Sequence, residues 1–324
     1  MPEVSVIIPV FKVERFAERC ARALMEQTLQ GAEFIFVDDA SPDGSMDIIR
    51  RVVAEYPRRT VRFLVHPENK GLPAARNTGL KAASGNYIWH CDSDDYPEPE
   101  FLEKMYAAAS RSKADMVYCD FYLDFGSSRK YMSTPDYAGP EQMIKEGFLA
   151  GQMKFNVWNK LISRSLYEKT GYLYPEGHSM GEDMTIIGIA TAATSCYRVP
   201  EALYHYEKTN GNAFSNTFSQ RHLDDILFNT HRAISFLDAW DVSDKALFTA
   251  LFKLNVKLPF LFSGRYDQYR LWREWFPEAN VYIRGNRYLP FRTRLVQQFA
   301  AWGLWPLVWL YAKGVGAYYK LKQD

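Results

Sequence analysis

Residues 4–10 read VSVIIPV, a continuous apolar run broken only by Ser5. A run of this length and composition is a strand buried on both faces, and such strands belong to sheets covered by helices. The chain alternates outward from it. Residues 13–27 read as a helix with Phe16, Cys20, Ala23 and Leu24 on one side. Residues 34–37 form a second strand ending at Asp38-Asp39, and Ser41-Pro42-Asp43-Gly44 is a turn. The next helix sets Ile48, Ile49, Val52 and Val53 on one face. A third strand at 61–65, a helix at 73–83 with proline in its first turn and a fourth strand at 87–90 follow. The fourth strand runs into Cys91-Asp92-Ser93-Asp94-Asp95, ahead of a helix at 99–112 and a strand near 116–121. This alternation predicts an α/β fold, with a Rossmann-like, mostly parallel central sheet and helices on both faces. Ligands of such sheets bind outside the carboxyl ends of the strands. Asp38-Asp39 and Asp92 to Asp95 both fall there, so two acidic clusters are expected to share one crevice.

The 324 residues are enough for about two domains, and 47% hydrophobic with 24% charged residues excludes a disordered chain. Lys plus Arg number 39 and Asp plus Glu 38, which argues against a globally basic nucleic-acid binder. Cys20, Cys91, Cys119 and Cys196 match no zinc spacing and no CxxC pair, as expected of buried thiols in a reducing compartment. Met1-Pro2-Glu3-Val4 enters the first strand at once, without the basic start and long apolar core of a secretory signal, so a cytoplasmic location is expected. Residues 125–215 are interrupted by Gly, Pro and aromatic residues and read as long loops; residues 220–262 are helical in pattern.

Asp92-Ser93-Asp94-Asp95 is the strongest chemical signal. Adjacent carboxylates at a strand end repel one another and are tolerated when a cation sits between them. Their hard oxygens suit Mg²⁺ or Mn²⁺ held by one or two carboxylates plus substrate phosphates. Neither GxGxxG nor GxxxxGK[ST] occurs where a strand meets a helix, so a metal is expected to do most of the phosphate neutralisation.

The motifs VSVIIPVFK, FVDDASPDGS, NKGLPAARNTGL, GNYIWHCDSDD and GEDMTI stand in this order over residues 1–210. Together they resemble the family 2 inverting glycosyltransferases of the GT-A fold, of the type that builds bacterial cell-surface polysaccharides and glycolipids. The resemblance implies that the Pro9 segment lines a nucleotide base and that Asp39 accepts a hydrogen bond from uracil N3–H. It implies that Asn69 and Arg76 touch the nucleotide and its phosphates. Asp92 and Asp94 match the DxD pair, the first facing ribose and the second binding Mn²⁺ or Mg²⁺; Asp95 leaves this assignment ambiguous by one residue. Asp183 of Gly181-Glu182-Asp183 matches the general base that takes the proton of the attacking hydroxyl. A helix begins there too, so Glu182 or Asp183 could be a plain N-terminal acid. The expected donor is a UDP-sugar and the expected acceptor a glycan or lipid-linked saccharide.

Other residues stay open between two readings. His205 is a third metal ligand or a packed histidine. Trp158, in NVWNKLISR (156–164) with Asn156, Asn159 and Lys160, stacks on a sugar or fills the core. Lys208, Asn212 and Ser215 lie on a polar loop that in relatives can fold over the diphosphate.

The expected division is a 1–215 catalytic domain, split near residue 120 into nucleotide-binding and acceptor-side halves, and a 216–324 helical region. From Arg284 onward seven basic residues face the single acid Asp324, a net of +6. Residues 295–312, LVQQFAAWGLWPLVWLYA, are too polar and short for an ordinary span. With Trp302, Trp305, Trp309, Tyr311, Tyr318 and Tyr319 beside Lys and Arg, segment 295–320 reads as an in-plane anchor on the inner face of the cell membrane, or as a helix packed on the protein. The alternatives in function are a nucleotidyltransferase on a related sheet, or a non-catalytic pseudo-transferase that binds a nucleotide sugar.

Overall fold

All seven residues of β1 (Val4–Val10) are buried, and its two faces meet different helices. Val4, Val6, Ile8 and Val10 share one core with Phe34 and Phe36 of β2 (Ala32–Asp38) and with residues of α1 (Glu14–Met25) and α2 (Ser45–Ala54). On the other face Ile35 and Val37 pack with Ala75 of α3 (Leu72–Ala82). Helix α3 comes close: a Cβ on Gly79 would lie 2.3 Å from Ile7 Cγ2. The computed structural model describes residues 1–211 and 219–320, with side chains to residue 315. Asn212 and Ser215 lie outside the described residues, as do Lys322, Asp324 and the side chains of Tyr318, Tyr319 and Lys320.

The chain continues through β3 (Thr60–Val65), β4 (Tyr87–His90), β5 (Tyr96–Pro97), α4 (Phe101–Ser112), β6 (Met116–Asp124), β7 (Arg129–Met132) and the single turn α5 (Pro140–Gln142). Then come a π-helical stretch Met143–Leu149, β8 (Lys160–Ser163), α6 (Arg164–Thr170), a 3₁₀ turn Glu182–Met184, α7 (Thr185–Thr191), β9 (Cys196–Glu207) and α8 (Gln220–Asp238). The sheet order is β3-β2-β1-β4-β8-β6-β9-β5, with β7 added on β6. Strands β1 to β4 are mutually parallel where they pair, as expected, and β6 runs parallel to β9. Strands β5, β7 and β8 run antiparallel to their partners. Strand β8 therefore presents its first residue, Lys160, beside the carboxyl end of β4, opposite Tyr118 of β6.

Two compact units result. The first holds residues 1–141 and 155–236, the second residues 142–154 and 237–324. This differs from a cut at 215/216 because α8 packs on the sheet-bearing unit: a Cβ on Gly188 of α7 would lie 2.6 Å from Phe236 Cδ2. The second unit is helical, with α9 (Lys245–Lys257), α10 (Pro259–Phe262), α11 (Tyr266–Glu274), a 3₁₀ stretch Pro277–Tyr282, α12 (Phe291–Ala301) and α13 (Trp305–Lys320). At its centre the Lys257 ammonium donates to Trp275 O, Phe276 O and Asn280 Oδ1. Burial lowers its pKa to about 7.

Candidate active site

The crevice opens where β1 and β4 part. Their ladder runs from Val4↔Tyr87 to Ile7↔His90, and Cys91 N still donates to Ile7 O at 3.0 Å. The next rung of a parallel ladder would join the N–H of residue 9 to Cys91 O, and Pro9 has no N–H. Pro9 stays buried and paired with Val37 on its β2 side.

Asp39 follows β2 and is buried. Its Oδ1 accepts His66 Nδ1 at 2.7 Å and Lys70 N at 2.8 Å; its Oδ2 accepts Asn69 Nδ2 at 3.0 Å and Gly71 N at 2.8 Å. A carboxylate has about four lone-pair positions, and protein donors occupy all of them. Asp39, where the resemblance implies a contact to uracil, staples residues 69–71 at the start of α3. Gly71 stands there at φ +87°, a conformation suited to glycine. Asn69 is exposed, tied to Asp39 through its amide.

Arg76 lies one turn into α3 and is buried. Its Nη2 donates to Asp92 Oδ1 at 3.0 Å, and its Nη1 to Glu182 Oε1 at 3.0 Å and Asp183 Oδ1 at 2.5 Å. Burial alone would lower its pKa, but Asp183, Asp92 and Glu182 outweigh it and raise it well above the usual value. Expected at the phosphates, Arg76 is committed to three carboxylates, and so it joins the two acidic motifs. Of the pair it holds, Asp183 is 25% exposed and Glu182 9%, so Asp183 is the one that faces solvent. Burial raises both pKa values; Asp183 adds to the rise of Glu182, and Arg76 opposes it in both.

Asp94 Oδ2 accepts Asn210 Nδ2 at 2.8 Å, and burial followed by the charge of Asp92 pushes Asp94 up to about 6. Asp95 is turned into the core. Its Oδ2 takes the Tyr204 hydroxyl at 2.8 Å and its Oδ1 the Glu207 amide at 2.7 Å. Both Asp95 oxygens are thus taken up by protein donors, which leaves Asp92 and Asp94 as the carboxylates facing outward. His205 is corrected likewise: strand alternation puts it on the opposite face from Tyr204. There it bonds Glu98 Oε1 at 2.7 Å and stacks on Tyr96 and Tyr122. Trp158 is a core residue, buried and stacked on Tyr204 and Tyr206 at 4.6 and 5.3 Å between centroids. Among the described residues no group of three or more His, Cys, Asp or Glu side chains is arranged to hold a metal. The donor set that remains, Asp92 and Asp94 with mutual repulsion to relieve, fits a hard divalent cation that takes its other oxygens from phosphates and water.

The segment NVWNKLISR names Lys160 without its contacts, and no motif points to α8. Lys160 is buried, its ammonium donating to Asn156 O at 2.5 Å and Asn159 Oδ1 at 2.9 Å. Burial lowers it to about 7, against the charge of nearby Asp183. Helix α8 supports the Glu182-Asp183 turn from below. Asn229 Nδ2 donates to Met180 O at 3.0 Å and His178 O at 3.2 Å, and Asp225 Oδ2 accepts Met180 N at 3.3 Å. Both arise from pairings between distant segments, which local patterning does not encode.

Arg76 thus joins the strand end at Asp92 to the Glu182-Asp183 turn on this sheet. Residues 5–180 match the family model "Glycosyl transferase family 2", and the chain belongs to that family. It is a glycosyltransferase, which sets aside the nucleotidyltransferase reading. The chain is similar to the uncharacterized glycosyltransferase EpsJ of Bacillus subtilis, 31% identical over 243 residues that cover 72% of this chain and 69% of EpsJ. In structure it is similar to S. aureus TarS 1-349 in complex with UDP-GlcNAc, with a TM-score of 0.74, 17% identity and coverage of 98% and 92% of the two chains. A weaker likeness, TM-score 0.50 and 16% identity over 96% and 86% of the chains, is to the mannosyltransferase PcManGT of Pyrobaculum calidifontis in complex with GDP-Man and Mn²⁺. These neighbours support the GT-A fold read from the motifs.

Proposed function

We propose that the protein moves a sugar from a nucleotide sugar, most plainly a UDP-sugar, to a hydroxyl of a glycan or lipid-linked saccharide, with inversion at C1. The observation that carries this reading is the Arg76 guanidinium shared by Asp92 and Asp183. It sets a solvent-facing carboxylate across from the DxD strand end. Asp183 takes the proton of the acceptor hydroxyl as its oxygen forms the new bond to C1. The bond from C1 to the phosphate oxygen breaks, and its electron pair leaves with the nucleoside diphosphate. A bound Mn²⁺ or Mg²⁺, held by Asp92 and Asp94, would supply positive charge to that leaving group. Pro9 and the loop stapled by Asp39, with exposed Asn69, form the floor for the base and ribose. The UDP-GlcNAc in the TarS complex supports a UDP-sugar donor. The acceptor is extended at the cytoplasmic face of the membrane, where soluble sugar nucleotides and a lipid-linked glycan meet.

Calorimetric titration of UDP with Mn²⁺ and with chelator tests the crevice. Metal-dependent binding is expected, followed by transfer or slow hydrolysis of a UDP-sugar without pyrophosphate release. Equal affinity under both conditions would overturn the metal assignment. No binding of UDP, with binding of another nucleotide, would overturn the donor.

A further inference from the structure

Helix α13 is apolar around its whole circumference over residues 305–312, WPLVWLYA, and yet one side faces solvent. Val308 and Ala312 are buried inward, as are Val296 and Ala300 of α12. Outward stand Phe291, Trp302, Leu304, Leu307, Trp309 and Leu310, with Phe291 68%, Trp302 54% and Leu310 62% exposed. A helix that is apolar on every side is normally buried on every side. A contiguous apolar patch on a surface marks a place where something else sits.

Charge says what sits there. Residues 279–323 contain no Asp or Glu, while Arg284, Arg287, Arg292, Arg294 and Lys313 fall in the same stretch. Three of these cations lie over the exposed rings. Arg284 is 5.7 Å from the Trp302 centroid, Arg294 5.9 Å from Phe291 and Lys313 5.6 Å from Trp309. A second copy docked on this face would bring five cations against five cations with no acid from residues 279–323 between them. An aqueous anion would neutralise the charge but leave the leucines wet. A bilayer surface with anionic headgroups satisfies both, since aromatic and basic side chains are at home at the headgroup level and leucines just beneath it. No helix among the described residues is long and apolar enough to cross a membrane.

We propose that α12 and α13 form a wedge that lies in the plane of an anionic membrane, with Leu304, Leu307 and Leu310 below the headgroups and the arginines among them. The proposal deepens the reading of a membrane-borne acceptor and rests on it for its purpose. Its physical basis is the second unit alone, so the two can fail separately.

The test is flotation of the full chain with vesicles of phosphatidylcholine alone or with about one third phosphatidylglycerol. Binding is expected to be about 100-fold tighter to the anionic vesicles and to weaken with salt. Leu307→Gln with Leu310→Gln should abolish it. Arg292→Gln with Arg294→Gln should weaken it about 30-fold and flatten the salt dependence. UDP titration and the unfolding temperature of each variant should match the parent. Absence of vesicle binding by the parent chain would overturn the proposal, as would a dimer in solution that Leu310→Gln dissociates. Loss of UDP binding with vesicle binding intact would overturn the crevice reading and leave the wedge standing.

Discussion

Arg76 and Asp183 meet at 2.5 Å, and the other arm of the same guanidinium reaches Asp92 at 3.0 Å. One planar cation thus fixes the spacing between Asp183, the proposed proton acceptor, and Asp92. Lysine carries the charge but cannot span the fork. Arg76→Lys is expected to lower turnover at least about 100-fold and to cost about 3 kcal/mol of stability, because carboxylates in a buried cluster lose their partner. Steady-state kinetics and urea unfolding check both. An unchanged unfolding midpoint would remove Arg76 from its structural role.

Asp183→Asn keeps the shape of the side chain and removes the proposed proton acceptor. Turnover should fall about 1,000-fold while the affinity for UDP in Mn²⁺ stays within about twofold. Parallel loss of binding would mean that Asp183 organises the donor site and is not the base.

Asp94 titrates near pH 6 because burial and Asp92 oppose its charge. Protons and a cation then compete for it. Above about pH 6 the carboxylate is ionised and available; below, it is protonated. Metal-dependent UDP affinity should therefore fall about tenfold between about pH 7 and pH 5. The sign for folding is opposite. A carboxylate with a raised folded pKa is destabilising when ionised, so its contribution to stability improves as the pH falls through 6 toward its unfolded value. In Asp94→Asn both dependences should flatten.

Lys160 places a buried amine, its pKa lowered to about 7, near Asp183 from the first residue of β8. Lys160→Met is expected to lower kcat about 30-fold with UDP affinity unchanged, and Lys160→Arg to recover part of it. Equal losses in both variants, together with lost thermal stability, would assign Lys160 to packing alone.

The parallel half of the fold was legible because its signals are local. The run 4–10 is buried throughout, and the strands after it fall within a residue or two of where periodicity places them. Strand β8 was not legible. Its four residues acquire strand character only by insertion between β4 and β6, a pairing between segments more than 40 residues apart. The same limit applies to the site. The acids and Arg76 could be named from motifs, but which groups Arg76 holds depends on Asp183, 107 residues away. His205 stays open in the sequence because imidazole is a common ligand and an equally common packed side chain; strand alternation turns it away from Tyr204, which bonds to Asp95.

The four hydrogen bonds that fill Asp39 have a kinetic consequence. The turn at 69–71 is already in place in the protein alone, so a nucleotide meets a surface whose ordering entropy was lost on folding. Capture at this end of the crevice should then be limited by encounter and orientation, at roughly 10⁵–10⁷ M⁻¹s⁻¹, and not by a slow rearrangement of the loop.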